Sequence, residues 1–220
     1  MKIVFSVGGS LVVPEEVDPE FVRKFCSLVR ELSSDHRIAV VVGGGRLARK
    51  YINAAGSFEV SDEVKDLLGI EATHLNAMLF AAALGDKAVY RRVVSAADLG
   101  GRQVVVTGGT TPGHSTDAVA AELAVKSEAD LLVNVSNITG VYDSDPSANP
   151  NARLLKRVSA DKLLELVSSL PQTPGKYALM DRLSVDTIRE RGLKTLILGS
   201  DILNIRNAVL GKDFVGTTVG

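Results

Sequence analysis

Residues 104–124, VVVTGGTTPGHSTDAVAAELA, decide the architecture. Val104 to Val106 are three consecutive β-branched residues, the composition of a short buried strand. Gly108 and Gly109 then allow a tight turn with no side chain in the way of an approaching group. Hydroxyls from Thr107, Thr110, Thr111, Ser115 and Thr116 surround that turn, and beyond Asp117 an alanine-rich run to Ala129 reads as helix. A strand that feeds a polar, glycine-containing loop and then a helix start presents unpaired N–H groups and the positive end of a dipole. That arrangement favours an anion by roughly 0.3–1 kcal/mol. Strand–helix connections are usually shorter and carry fewer hydroxyls. The stretch therefore reads as an anion-holding loop, the alternative being a long polar loop with no ligand.

The same device recurs along the chain. Lys2 to Val7, KIVFSV, is a buried strand that ends in Gly8, Gly9 and Ser10. Ile38 to Val42 is a second, followed by Gly43, Gly44, Gly45 and the basic helix RLARKYINAAG. Ala88 to Val94, Leu131 to Val135 and Thr195 to Leu198 read as further strands, with a last tight strand or turn at Gly216–Thr218. Between them, helical spacing appears from Phe21 to Leu32, over Val64–Leu84, over Ser159–Ser169, and over Asp181–Arg191 with Gly192 as its C-cap; Asn204–Leu210 reads as a helical turn. Pro171–Gly175, PQTPG, reads as a mobile loop. No repeat or proline-, glycine- or serine-rich linker divides residues 1–220, which are expected to form one domain. Apolar strands alternating with helices predict an α/β fold, a mainly parallel central sheet sandwiched by helices, with ligands at the carboxyl ends of the strands.

Two helices carry candidate contacts. Arg46, Arg49, Lys50 and Asn53 share one face of the basic helix, and cations so near its start oppose the helix dipole unless an anion binds there. Arg49 is assigned to phosphate; Arg46 stays open between phosphate and solvent. On Val64–Leu84 the apolar stripe reads as Val64, Leu68, Ala72, Leu75, Leu79 and Ala82, with Asp66, Gly69, Thr73 and Asn76 on a separate polar face. Asp66 and Asn76 are candidates for a sugar or a base, and His74 reads as a surface residue. Tyr142, in SNITGVYDSDPSANP, offers a flat surface for a ring, or packs within its loop as loop tyrosines more often do.

Composition excludes several classes. Hydrophobic residues make up 45% and charged residues 23%, as in an ordinary globular protein. A formal charge of −1 gives no reason to expect nucleic acid or an anionic membrane as partner. No uninterrupted apolar run approaches the roughly 18 residues of a membrane span, and no leader-like segment precedes the first strand. The lone Cys26 forms no internal disulfide and fits a reducing cytoplasm. The Walker pattern, zinc-ligand spacing and G-x-S-x-G are absent. Gly43 to Ala48 satisfies G-x-G-x-x-A, yet a dinucleotide site would want a second strand ending in an acid about 20 residues on, and that region reads polar and helical. Phosphoryl transfer suits the constellation, since it asks mainly for backbone donors, positive charge and Mg²⁺ holding two anions in line. Gly8–Ser10 and Gly43–Gly45 could hold a donor, and Gly108–Asp117 an acceptor. Asp117 reads as an organiser of cations and donors, because a phosphate acceptor is already ionised.

IVFSVGGS, VVVGGGRLARKY, DLLGIEATHLNAM, GGTTPGHSTDAVAA and SNITGVYDSDP occur in this order and together resemble the archaeal-type uridylate kinases of the amino-acid-kinase superfamily, over essentially the whole chain. The resemblance implies that family's three-layer fold, with an N-terminal acceptor side and a C-terminal ATP side. It also implies transfer of the ATP γ-phosphoryl group to UMP with Mg²⁺, in pyrimidine nucleotide synthesis, by a cytoplasmic hexamer. Carried onto matching positions, Gly9, Ser10, Gly45 and Arg49 would contact ATP phosphates, and Ser136, Asn137, Tyr142 and Asp145 would border the adenosine. Gly44, Asp66 and the loop His114, Ser115, Thr116, Asp117, Ala118, Val119 and Ala120 would hold UMP. Arg49 and Asp117 would serve the transfer, and no protein side chain is assigned to the metal. Many members of the superfamily carry a lysine in the first strand where this chain has Ser6, and a threonine where it has Ser136. A sister kinase acting on acetylglutamate, carbamate or isopentenyl phosphate, and a non-catalytic nucleotide-binding regulator, are the alternatives.

Overall fold

The computed structural model describes residues 1–101, 103–169 and 179–220; Pro171–Gly175, read above as a mobile loop, lies outside them. Among the described residues the strands are β1 (Lys2–Val7), β2 (Arg37–Val42), β3 (Ala88–Tyr90), β4 (Val104–Thr107), β5 (Leu131–Val135), β6 (Arg157–Val158), β7 (Thr195–Leu198) and β8 (Thr217–Val219). They form one sheet in the order β3-β4-β2-β1-β5-β7-β8-β6. Every pairing is parallel except β7 with β8. The helices are α1 (Gly9–Val12), α2 (Pro19–Leu32), α3 (Gly45–Ala55), α4 (Asp62–Leu84), α5 (Thr116–Lys126), α6 (Ala160–Ser169), α7 (Arg182–Arg191) and α8 (Ile202–Val209).

Strand alternation sorts side chains between two cores. Ile3, Phe5 and Val7 of β1 face one core with α2, α4 and α8, built around Phe25 and Phe80. Val4, Ala39, Val41 and Leu132 face the other, against α5, α6 and α7. The same alternation sends Ser6 and Asn134, paired across β1 and β5, to the α5 side of the sheet. Both are buried. Two polar groups in an otherwise apolar pair of strands require partners.

Register then fixes the rim. Val7 pairs with Val42 and with Val135, Val41 with Thr107, and Val135 with Leu198. The loops beginning at Gly108, Gly43, Gly8, Ser136 and Gly199 therefore leave the sheet side by side, in the strand order β4-β2-β1-β5-β7.

Several sequence expectations need correction. β3 ends at Tyr90 rather than Val94, because Ser95 and Asp98 form a reciprocal capping box that draws the chain into a 3-10 turn over Ala96–Gly100. His74 is buried, its Nδ1 lying 3.1 Å from the Tyr90 hydroxyl, and burial lowers its pKa. Most consequentially, α4 is turned relative to its predicted stripe. Ala72, Thr73, His74, Asn76, Ala77, Phe80 and Leu84 are buried, whereas Val64, Leu75 and Leu79 are exposed. The helix is apolar on nearly every side, and by length and mean hydropathy it passes as a membrane span. Its polar groups settle its orientation, because Thr73 and Asn76 are bonded inside the protein.

Candidate active site

Two cavities flank the middle of the rim. One, of about 420 Å³, lies between α3, α4 and the loop after β4, and is lined by Gly44, Ala48, Ile52, Asp66, Thr73, Gly109, His114, Ser115 and Thr116 among others. The other, of about 530 Å³, lies beyond β5 and β7, lined by Asn137, Thr139, Gly199, Asp201, Asn204 and Val215 among others. Between them the loop after β1 is pressed against the loop after β2. A Cβ on Gly9 would be driven into the amide nitrogen of Gly45, and would lie 2.5 Å from Gly43 C and 2.6 Å from Gly44 N. Gly45 itself has φ +60, a region that favours glycine. The glycines make two backbones touch, and the amide nitrogens of Gly9, Ser10 and Gly45 make no hydrogen bond among the described residues. Those donors, at the starts of α1 and α3, suit an anion.

The cations of α3 divide. Arg46 pairs with Glu15 at 2.6 Å and Lys50 with Glu16 at 3.1 Å. Arg49 is exposed and makes no hydrogen bond or ion pair among the described residues. Replacing Arg46 by alanine should therefore cost no more than about 1 kcal/mol, as exposed pairs do, measured by denaturant unfolding.

Asp117 occupies the first turn of α5, above β1 and β5. Its Oδ1 accepts hydrogen bonds from Ser6 Oγ at 2.6 Å and Asn134 Nδ2 at 2.7 Å. Burial pushes its carboxyl up to about 6; the two donors oppose this, and the nearby Asp181 charge adds to it. The hydroxyl of Ser6 is thus a neutral donor to the carboxylate. Ser115 caps α5 by accepting from Ala118 N at 3.1 Å, and its hydroxyl also donates to Asp181, the cap of α7. His114 Nδ1 lies 3.1 Å from Glu122 Oε1.

The structure brings Gly44, Asp66, His114, Ser115 and Thr116 together on the first cavity, and Gly9 and Gly45 together at the centre. Ser10 follows Gly9 in α1. Asp66 already accepts from Gly113 N at 2.7 Å. Asn76 is corrected: its side chain is buried and donates to the carbonyl of Gly43 at 2.8 Å, so it reaches neither sugar nor base. Ala118, Val119 and Ala120 are buried, and the last two pack in the α5 core, so their side chains face protein. On the far side, Asn137 lines the second cavity. Ser136 Oγ accepts from Ile138 N at 3.3 Å. Tyr142 bridges to Leu154, and Asp145 accepts from the amide and hydroxyl of Ser147.

Sequence reasoning missed Asn134, Asp181 and the Gly199–Val215 wall. A lone polar residue inside LLVNV was the signal for the first, and the Asp-x-x-Ser cap for the second. The wall carried none, since Asn204 is fixed to Val215 by bonds in both directions across a turn.

Residues 1–199 match the amino acid kinase family. The uridylate kinase of Thermococcus sibiricus is 44% identical over 219 residues, 96% of this chain and of that protein. That of Pyrococcus abyssi is 44% identical over 227 residues, covering 100% of this chain and 99% of the other. Among solved structures, uridylate kinase from Archaeoglobus fulgidus superposes with a TM-score of 0.88 at 37% identity, with both chains fully covered. UMP kinase from Bacillus anthracis, at 16% identity and a TM-score of 0.85, shares the fold.

Proposed function

This chain belongs to the amino acid kinase family, and from that premise we propose that it is a UMP kinase, transferring the γ-phosphoryl group of ATP to UMP to give UDP. The observation that carries this reading is the order of the rim. A cavity on the β4–β2 side and another on the β5–β7 side are separated by touching glycine loops with free amides. Two phosphorylated molecules entering from opposite sides would meet there phosphate to phosphate.

In this reading UMP occupies the first cavity. Gly44 and the first turn of α5 offer backbone donors, Asp66 meets the ribose, and the loop His114–Asp117 closes over the nucleotide. Ala118, Val119 and Ala120 contribute through the helix they form. ATP occupies the second cavity, with Ser136, Asn137, Tyr142 and Asp145 bordering the adenosine and Gly9, Ser10 and Gly45 cradling the phosphates. Arg49, one turn along α3 from Gly45 and without an ion pair among the described residues, would offset charge on the transferring group. Asp117 fixes the groups around it and takes no proton from UMP, whose phosphate is already ionised. Bound with ATP, Mg²⁺ would neutralise the phosphate oxygens.

The reading extends to a homo-oligomer and a cytoplasmic location. Leu67, Leu75, Met78 and Leu79 expose an apolar face of α4 that a second copy would cover. Cys26 is buried, with its thiol pushed up to about 12, as suits a protein without a disulfide role.

A coupled ADP-release assay over UMP, CMP, acetylglutamate, carbamate and isopentenyl phosphate tests the proposal. UMP should give the highest kcat/KM. Turnover of UMP at background, with another acceptor active, would assign the chain to a sister kinase; ATP binding with no acceptor active would make it a regulator. Replacing Arg49 by alanine should leave the melting temperature unchanged, since the exposed side chain makes no hydrogen bond or ion pair among the described residues, and lower kcat about tenfold, the scale of one charge-assisted contact.

A further inference from the structure

We infer that Thr73, with Asn76, is a positioning residue: α4 holds the acceptor loop and the central glycine loop at a fixed separation. Three bonds from one helix face carry this. Asp66 Oδ2 accepts from Gly113 N at 2.7 Å, Thr73 Oγ1 accepts from Gly109 N at 2.6 Å, and Asn76 Nδ2 donates to Gly43 O at 2.8 Å. Spaced at i, i+7 and i+10, these residues lie along one side of a rigid helix. The first two grip the loop after β4, the third grips the loop after β2, and that loop touches Gly9 after β1. The chain of contacts therefore runs from the acceptor cavity to the centre of the rim.

Thr73 is the member that meets both glycine loops. It is buried, its hydroxyl donates to Ile70 O at 2.6 Å while accepting from Gly109, and its methyl lies against Gly44. Its proton and one of its two lone pairs are thus occupied by protein. A Cβ on Gly108 would be driven into that same oxygen. The glycine at 108 accordingly lets the loop dock on Thr73.

The inference rests on the acceptor assignment above. Thr73→Val keeps the shape and the Gly44 contact but removes the acceptor for Gly109. It should raise KM for UMP about tenfold and leave KM for ATP within twofold, measured well below the melting temperature. Thr73→Ser, which restores the hydroxyl, should return KM for UMP to within about threefold of the parent. A role in stability alone would lower the melting temperature and move neither KM. Equal changes in both KM values, or none, would overturn the inference. Should Thr73→Val not fold, or should UMP prove not to be the acceptor, amide exchange in the ligand-free parent protein decides. Gly109 N–H should exchange slowly, as a buried bonded amide does, and exchange at the rate of an open loop would equally overturn it.

Discussion

An Asp117→Asn enzyme is expected to lose on the order of 10²-fold in kcat while melting at a higher temperature than its parent. The two effects have one origin. The carboxyl is held by Ser6 and Asn134 at a buried position that pushes its pKa up to about 6. Above that pH the folded protein carries a poorly solvated charge. The native carboxyl binds its proton more tightly than the unfolded one, whose value is 3.8. The contribution of this one group to stability is thus greatest below about pH 4 and falls as pH rises through the window between 3.8 and about 6. Asparagine keeps an acceptor for both donors and removes the charge, which should return up to about 3 kcal/mol at neutral pH, or several degrees. The melting-temperature difference between the two proteins should be full at pH 7 and close by pH 4, as followed by calorimetry. Turnover moves the other way because the ionised group organises the transfer, and misplacing reacting groups by about 1 Å can cost 10²-fold. In the parent, activity should fall as pH drops below about 6. An Asp117→Asn enzyme with normal kcat would remove Asp117 from the mechanism. Unchanged stability would instead refute the buried charge.

Gly9→Ala should abolish the rim. Its backbone is not in a left-handed conformation, so the obstacle is crowding alone: the added methyl meets the backbone of Gly43, Gly44 and Gly45. Backbone on both sides leaves no flexible side chain to move aside, and a loss of at least about 3 kcal/mol follows, at or beyond the upper end for overpacking. Denaturant unfolding should show that loss, and calorimetry should show ATP binding abolished. Gly56→Ala is the control, because its Cβ would meet nothing within 4 Å and its φ is −57. That variant should stay within about 1 kcal/mol of the parent. A Gly9→Ala protein that binds ATP normally would mean that the two glycine loops do not need to touch.

The parallel sheet was legible because RIAVVV, VVVT and LLVNV are continuous apolar runs bounded by glycine or polar loops, which is how strands covered on both faces read. The convergence of the loops followed from the same pattern, since the loops at Gly8, Gly43 and Gly108 each trail a strand. The orientation of α4 was not legible. Leu75 and Leu79 are as apolar as Ala77 and Phe80, and periodicity cannot choose between two apolar faces. The choice is made by Thr73 and Asn76, whose partners Gly109 and Gly43 lie 36 and 33 residues away in sequence. His74 is buried for a similar reason, with its partner Tyr90 on another element. Asp66 was singled out from its place on a helix face; its position on the first cavity and its bond to Gly113 come from the fold. Ser6 stood out as a departure from the family pattern, and only the fold shows that its hydroxyl serves Asp117.

Following the γ-phosphoryl group itself is the most direct test. With ATP labelled at the γ position and UMP present, label should appear in the β-phosphate of UDP, in proportion to the ADP formed. Label released as inorganic phosphate, or retained in ATP while UMP is bound, would contradict the claim that donor and acceptor meet across the glycine loops.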